Sequence, residues 1–473
     1  MVFSSLPFLT LFYPITLVVY HLLPERLKNT WLLLASLAFY AAGNYIYAPL
    51  LCAEIIWTWA FGWGIARHRE DRLGTGLLVA FLVGSLGALA VFKYAGFLAR
   101  TAGELTGISL SVPQIALPIG ISFYTFQAIS YVVDVRRGAD AQHNPLAVGL
   151  YLALFPQLIA GPIVRYGDIE PQLAHRDVSL DDACDGLGRF AVGLCKKVLI
   201  ANQVGAFADL LFDKGHLSLT PAPIVWLGVL AYALQIYFDF SGYSDMAIGL
   251  GRTFGFKLPE NFRDPYCAAT ATEFWRRWHI SLSSWFRDYV YIPLGGSREG
   301  DAKTVRNLAI VWALTGLWHG ANWSFVLWGF GWGLLIILER FVVRPDDRSR
   351  GFRVVWRAVI LLATLLLWVL FRAETMSYAL EVIGRMFSPE AWRAAATNTK
   401  WILLWLHDLG PYLVAGIVLA AGVPGAIARR LPSEGRLRDV LDVAGMLALA
   451  LLTVLSISFV AQGSYNPFLY FQF

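Results

Sequence analysis

Residues 307–339 read NLAIVWALTGLWHGANWSFVLWGFGWGLLIILE. Up to the closing Glu339 the stretch carries one ionisable side chain, His319, and it is dense in tryptophan. An apolar run needs about 20 residues to cross a hydrocarbon core of about 30 Å. This one is longer than a single crossing, so its flanks decide how it lies. Arg252, Arg263, Arg276, Arg277, Arg287, Arg298 and Arg306 precede it, and Arg340, Arg344, Arg348, Arg350 and Arg353 follow. Basic loops stay on the cytoplasmic side. Both ends therefore sit on one face, and the stretch is expected to leave and re-enter it as a hairpin or a re-entrant pair. The thirteen residues from Arg306 to His319 climb about 20 Å at helical rise, which sets the imidazole deep in the membrane near the apex. A histidine at such depth is usually functional, and its neutral form is a general base. The competing reading is a hydrogen bond across two packed helices.

The rest of the chain is of the same class. Of its 473 residues 57% are hydrophobic and only 15% charged, and the mean hydropathy is +0.56, which excludes a soluble multidomain protein. Eighteen Trp, 20 Tyr and 31 Phe suit a polytopic protein that meets both bilayer interfaces. The net charge of +5 is not gathered into a basic run apart from the spans, so it reads as inside-positive loops and not as a nucleic-acid surface. Cys52, Cys184, Cys195 and Cys267 form no CxxC pair and have no ligand spacing; neither a disulfide framework nor a metal site follows. The first apolar run lacks a basic leader and a small-residue cleavage site, and is expected to be a retained span.

Runs long enough to cross lie at roughly 6–23, 74–99, 115–133, 221–248, 353–371, 401–422 and 440–461. Residues 31–66 exceed one helix and are expected to turn near Gly43-Asn44 and Pro49, while 146–165 and 187–212 are less regular. Gly161-Pro162 would break a helix, and irregular backbone at depth needs protein or a wet cavity around it. The fold expected is an all-α polytopic integral membrane protein of about 11 membrane segments, with re-entrant and interfacial amphipathic helices, in one domain over 1–473. Arg429, Arg430, Arg436 and Arg438 just before the last span place its start inside and the C-terminus outside.

Between spans, TEFWRRWHISLSSWFRDY (Thr272–Tyr289) places Phe274, Trp275, Trp278, Leu282, Trp285, Phe286 and Tyr289 at three- and four-residue spacing. The pattern predicts one amphipathic helix lying at the cytoplasmic interface. His279 falls on the edge of its apolar face, where it can point inward or serve only as part of an anchor. Two histidines without Cys or Asp at ligand spacing suggest base chemistry over metal binding. Asp239 and Asp245 lie near the inner end of a span and are expected to be structural partners of Arg252 or Arg263. Gly329, Gly331 and Gly333 read as close helix packing.

Several ordered blocks resemble the membrane-bound O-acyltransferase family in its bacterial polysaccharide branch. They are LPIGISFYTFQAISYVVDVRRG (117–138), FPQLIAGPIVRY (155–166), QIYFDFSGYSDMAIGLGRTFGFKLPENFRDPY (235–266), FWRRWHISLSSWFRDYVYIPLGGSR (274–298) and LTGLWHGANWSFVLWG (314–329). With MVFSSLPFLTLFYPI at the start and FLYFQF at the end, the likeness covers nearly the whole chain. It implies that His319, in the WHG block, is the catalytic base and that His279, in the WHIS block, is the second histidine. The branch moves acetyl from a cytoplasmic thioester and passes it across the inner membrane to a periplasmic acetyltransferase partner within a polysaccharide acetylation and export complex. The polymer expected by that likeness is alginate, although relatives serving cellulose or peptidoglycan carry similar blocks. Acetyl-CoA or another acetyl thioester is the donor expected, with Arg276, Arg277 and Trp278 beside its phosphates, and no tightly bound cofactor is implied. The closing FLYFQF is similar to the tail of the small peptide of teichoic-acid D-alanylation, which makes Tyr470 a candidate acyl relay; the alternative is an interfacial aromatic cluster seating the last helix among membrane lipids. The reading from another class is a proton-coupled carrier or flippase using His319 as a relay, and a third is a structural subunit of an export complex.

Overall fold

A computed structural model describes residues 1–108, 115–212, 215, 217–463, 465–467 and 469. Every regular element among these residues is helical. Among the described residues eight stretches are long and apolar enough to cross a membrane: Glu25–Arg67, Arg72–Thr106, Leu180–Leu211, Ala222–Thr253, Trp323–Asp347, Arg350–Arg372, Ile402–Ala420 and Arg436–Ala461. The chain is thus a multi-pass membrane protein. Other segments expected from the sequence are shorter or interrupted. The first apolar run is the 15-residue stretch Phe8–Leu22, and the run at 115–133 becomes helical only at Ile121. Residues 146–165 form Pro145–Ala153, the four-residue helix Phe155–Leu158 and then irregular backbone to Arg165. Between Leu154 and Val164 that stretch is buried throughout, the surroundings that backbone with polar groups unpaired within a helix would need inside a bilayer.

The chain packs as two compact units. One comprises residues 1–190 and 243–260. Its interior is a nest of rings, with Phe3 stacked on Tyr243 at 4.6 Å and Phe155 edge-on to Phe12 at 5.3 Å. Such packing matters in a membrane, where lipid tails are as apolar as the side chains and close contact is what holds helices together. Within Glu25–Arg67 the 3-10 turn Tyr45–Tyr47 interrupts the helix, and Pro49 opens the next one, where its missing N–H costs nothing. The ionic expectation for this unit is corrected. Asp245 pairs with Arg189 at 2.9 Å, and Arg252 with Asp182 at 3.1 Å and Asp185 at 2.9 Å. Arg189 sits in a run that reads as mostly apolar, so its reach to Asp245 was invisible in the local pattern.

The second unit comprises residues 191–242 and 261–473. Asp239 belongs here and pairs with Lys197 at 2.6 Å, with neither Arg252 nor Arg263. The stretch 307–339 forms the antiparallel helices Asp301–His319 and Trp323–Leu338, packed on each other. Asn322 starts the second by accepting a hydrogen bond from the Ser324 N–H at 3.1 Å. Their closeness depends on glycine. A Cβ on Gly329 would lie 2.4 Å from the Trp312 carbonyl, and one on Gly316 would lie 2.5 Å from the Phe325 carbonyl. A Cβ on Gly333 would meet the Trp312 side chain at 2.9 Å and one on Gly331 the Leu367 side chain, on Arg350–Arg372, at 2.6 Å, the packing role expected of the three glycines.

Candidate functional site

His279 is not inside a helix. The predicted continuous helix over 272–289 is corrected to two short ones, Ala271–Arg277 and Ile280–Phe286, with His279 between them at φ 43° and ψ 55°. A left-handed residue that is not glycine costs about 1–3 kcal/mol, and such strain concentrates at functional sites. What holds the break is remote in sequence. The Arg263 N–H donates to the Arg277 carbonyl at 2.9 Å and the Ile280 N–H to the Asn261 carbonyl at 3.0 Å. The Asn261 side chain then fills the bend: its Oδ1 accepts from the Ser281 N–H at 3.2 Å and the Ser281 hydroxyl at 2.9 Å, and lies 3.1 Å from His279 Nδ1. Three- and four-residue periodicity continued through the break, which is why the sequence pattern missed it.

That network assigns the tautomer. A backbone N–H can only donate, so the Asn261 atom facing it is the oxygen, and His279 Nδ1 must carry a proton to donate to the same atom. In the neutral ring Nε2 is then the lone-pair nitrogen. Neutrality follows from burial: His279 is fully inaccessible, and burial pushes its pKa down to about 3.

The approach to His279 is fixed by capping. Thr270 caps the helix by accepting from the Glu273 N–H at 3.0 Å, while Glu273 reaches back to the Ala269 N–H, just before the cap, at 2.7 Å. The buried Glu339 carboxylate receives the Ala271 N–H at 2.6 Å, the Thr272 N–H at 3.1 Å and the Trp356 indole N–H at 2.9 Å. A carboxylate is well placed at a helix N-terminus. Glu339, the last residue of the Trp-rich stretch, thereby ties that stretch to the helix preceding His279.

His319 ends the helix Asp301–His319, with Gly320 following, and is 7% exposed. Its ring lies edge-on to Trp318 at 4.9 Å, Trp328 at 4.8 Å and Phe371 at 5.3 Å. His279 meets Trp318 at 5.9 Å and Phe240 at 4.7 Å. The two histidines, forty residues apart in sequence, thus both contact one indole, Trp318, inside a wall of aromatic rings. An imidazole in such surroundings can take a proton from a hydroxyl with little competing water.

The other predicted residues are distributed differently. Arg276 is exposed, and Arg277 is ion-paired with Glu273 at 2.6 Å. Trp278 is 2% exposed and packs on Trp368 at 5.0 Å and Phe262 at 5.1 Å, so it belongs to the aromatic wall and not to the surface. Tyr470 lies outside the described residues. Among the described residues no three His, Cys, Asp or Glu side chains gather as a metal site. Sequence reasoning passed over Asn261, Glu339 and Lys197. Asn261, in PENFRDPY, offered only its polarity among turn residues; Glu339 and Lys197 offered a charge at the end of, or within, an apolar run.

Comparison with known proteins gives the family. The sequence pattern of the MBOAT, membrane-bound O-acyltransferase family, matches residues 74–349. Over the full length of both proteins the chain is 40% identical to a probable alginate O-acetylase, AlgI, of Pseudomonas putida. It is 36% identical to the peptidoglycan O-acetyltransferase of Helicobacter pylori, over 82% of this chain and 80% of that one. A teichoic acid D-alanyltransferase of Bacillus subtilis is 29% identical over 49% of this chain and 61% of its own. The chain is an acyltransferase and belongs to the membrane-bound O-acyltransferase family.

Proposed function

We propose that this enzyme takes acetyl from a cytoplasmic thioester, acetyl-CoA being the donor considered, and passes it across the bacterial inner membrane for O-acetylation of an exopolysaccharide, alginate. The observation that carries the chemistry is the pair of imidazoles that both contact Trp318. The full-length likeness to an alginate O-acetylase supports the polymer.

In the proposed step the acceptor hydroxyl oxygen attacks the thioester carbonyl carbon while His319 takes the hydroxyl proton. The C–S bond breaks as the ester C–O bond forms, and the thiolate leaves with the proton that His319 returns. General-base assistance of this kind contributes about 10²–10⁴ in rate. His279, neutral and with its Nε2 lone pair set by Asn261, orients the donor or shares that proton. The exposed Arg276, next to the Arg277–Glu273 pair, supplies charge for the donor's phosphates. The acceptor is Tyr470 or a residue of a periplasmic acetyltransferase partner, which then acetylates the polymer on the outer side, where the C-terminus would lie.

The test is polymer acetate, read by NMR, in cells whose only copy carries His319→Ala, with membrane levels of the protein measured alongside. Acetate-free polymer at a normal protein level is the expected result. Unchanged acetate removes His319 as the base.

A further inference from the structure

The second unit contains a buried charge pair that the acyl-transfer step does not use. Lys197, on the helical run Leu180–Leu211, and Asp239, on Ala222–Thr253, are 4% and 2% exposed and lie 2.6 Å apart. A buried ion pair is weak evidence for stability, because desolvation offsets the attraction and apolar residues of similar size often serve as well. Charges inside spanning helices therefore point to a task.

Their further hydrogen bonds identify it. Lys197 Nζ donates to the Pro467 carbonyl, and Asp239 Oδ2 accepts from the Leu469 N–H at 2.8 Å. The ammonium takes a carbonyl and the carboxylate an N–H two residues further on, so the pair grips the tail by its backbone and with matched polarity. Two more contacts follow the same path: Asn202 Nδ2 donates to Asn466 Oδ1 at 3.1 Å, and the Tyr465 hydroxyl donates to Asp209, which is itself held by Arg372 at 2.8 Å. Leu469 is 3% exposed and packs in the same apolar core as Trp275, Trp278, Trp328 and Phe371. The residue after Asp239 is Phe240, whose ring lies edge-on to His279 at 4.7 Å. The tail is thus drawn to the part of the unit that holds the aromatic wall.

We infer that Lys197 and Asp239 are positioning residues whose task is to clasp the C-terminal segment, at residues 465–467 and 469, into the core around the two histidines, and that acyl transfer requires the segment clasped. The inference rests on the acyl-transfer reading. Position of the tail, however, can be measured without any turnover, which keeps the two failures distinguishable.

The decisive variant is Lys197→Met with Asp239→Leu. Removing both charges together leaves no uncompensated ion, so the helices are expected to stay packed, while the backbone grip is lost. A protease-cleavable tag after Phe473 in the full-length membrane protein reports the tail. The expected results are faster tag cleavage than in wild type and at least a tenfold loss of polymer acetylation at normal membrane level. Asn202→Cys with Asn466→Cys, added with the four native cysteines changed to Ala and then oxidised, is expected to fasten the tail again and restore acetylation. A tail cleaved no faster than wild type overturns the inference. So does a released tail with full acetylation, or a refastened tail without recovery.

Discussion

Removing Asn261 tests whether the histidine bend is the working part of the site. Its Oδ1 serves three donors: the Ser281 N–H, the Ser281 hydroxyl and His279 Nδ1–H. The hydroxyl can rotate to another acceptor; the backbone N–H and the ring N–H cannot move freely. Asn261→Ala takes the acceptor from both, at about 1–3 kcal/mol each in buried surroundings, for an expected loss of about 2–6 kcal/mol in stability. The same change releases the tautomer of His279 and relaxes a backbone held at φ 43°, so acetyl transfer is expected to fall by about 10² or more, the lower end of a general-base contribution. Asn261→Asp separates the two effects. It keeps the acceptor geometry, restoring most of the stability, but its negative charge favours the imidazolium form and raises the His279 pKa. A ring that must be neutral to work then needs a higher pH, and the acid limb of the pH–rate profile moves upward. The assays are thermal unfolding of the detergent-solubilised protein and thioester cleavage from acetyl-CoA followed across pH. Wild-type rate and an unshifted profile in folded Asn261→Asp would refute the assigned role of His279.

Two other outcomes follow from the same geometry. Because burial lowers the His279 pKa from 6.5 to about 3, the unfolded chain binds this proton first as pH falls. Stability should therefore rise with pH between those values and level off above 6.5. At pH 5 the cost is about 2 kcal/mol; His279→Asn, a residue tolerant of the left-handed backbone, should flatten that dependence in unfolding measured at pH 5 and 7.5. Gly329→Ala puts a methyl 2.4 Å from the Trp312 carbonyl and should destabilise by about 1–3 kcal/mol while lowering activity through His319 on the facing helix. Gly384→Ala, on an exposed helix position with nothing within 4 Å, is the control, and thermal unfolding should show it neutral or stabilised by up to about 1 kcal/mol.

Much of this protein was legible along the chain. Length and hydropathy of each run decide whether a segment can enter a membrane, and arginine placement decides that both ends of 307–339 share a face, because each is a local or additive property. The helix pair around His319, its closeness at Gly329 and the break near Gly161-Pro162 follow from such local rules. The blocks around His279 and His319 likewise pointed to the two histidines. Tertiary structure decided the rest. Periodicity in 272–289 describes a face and carries no information about Asn261, which bends the chain at His279 by supplying acceptors from another segment. Lys197 went unread and Asp239 was expected to pair with Arg252 or Arg263, until the packed helices brought the two together at 2.6 Å. That His279 meets Trp318, the chain neighbour of His319, is a property of closure. Hydrogen bonds and ring contacts between distant segments form only when the chain has packed, and no spacing along the sequence encodes them.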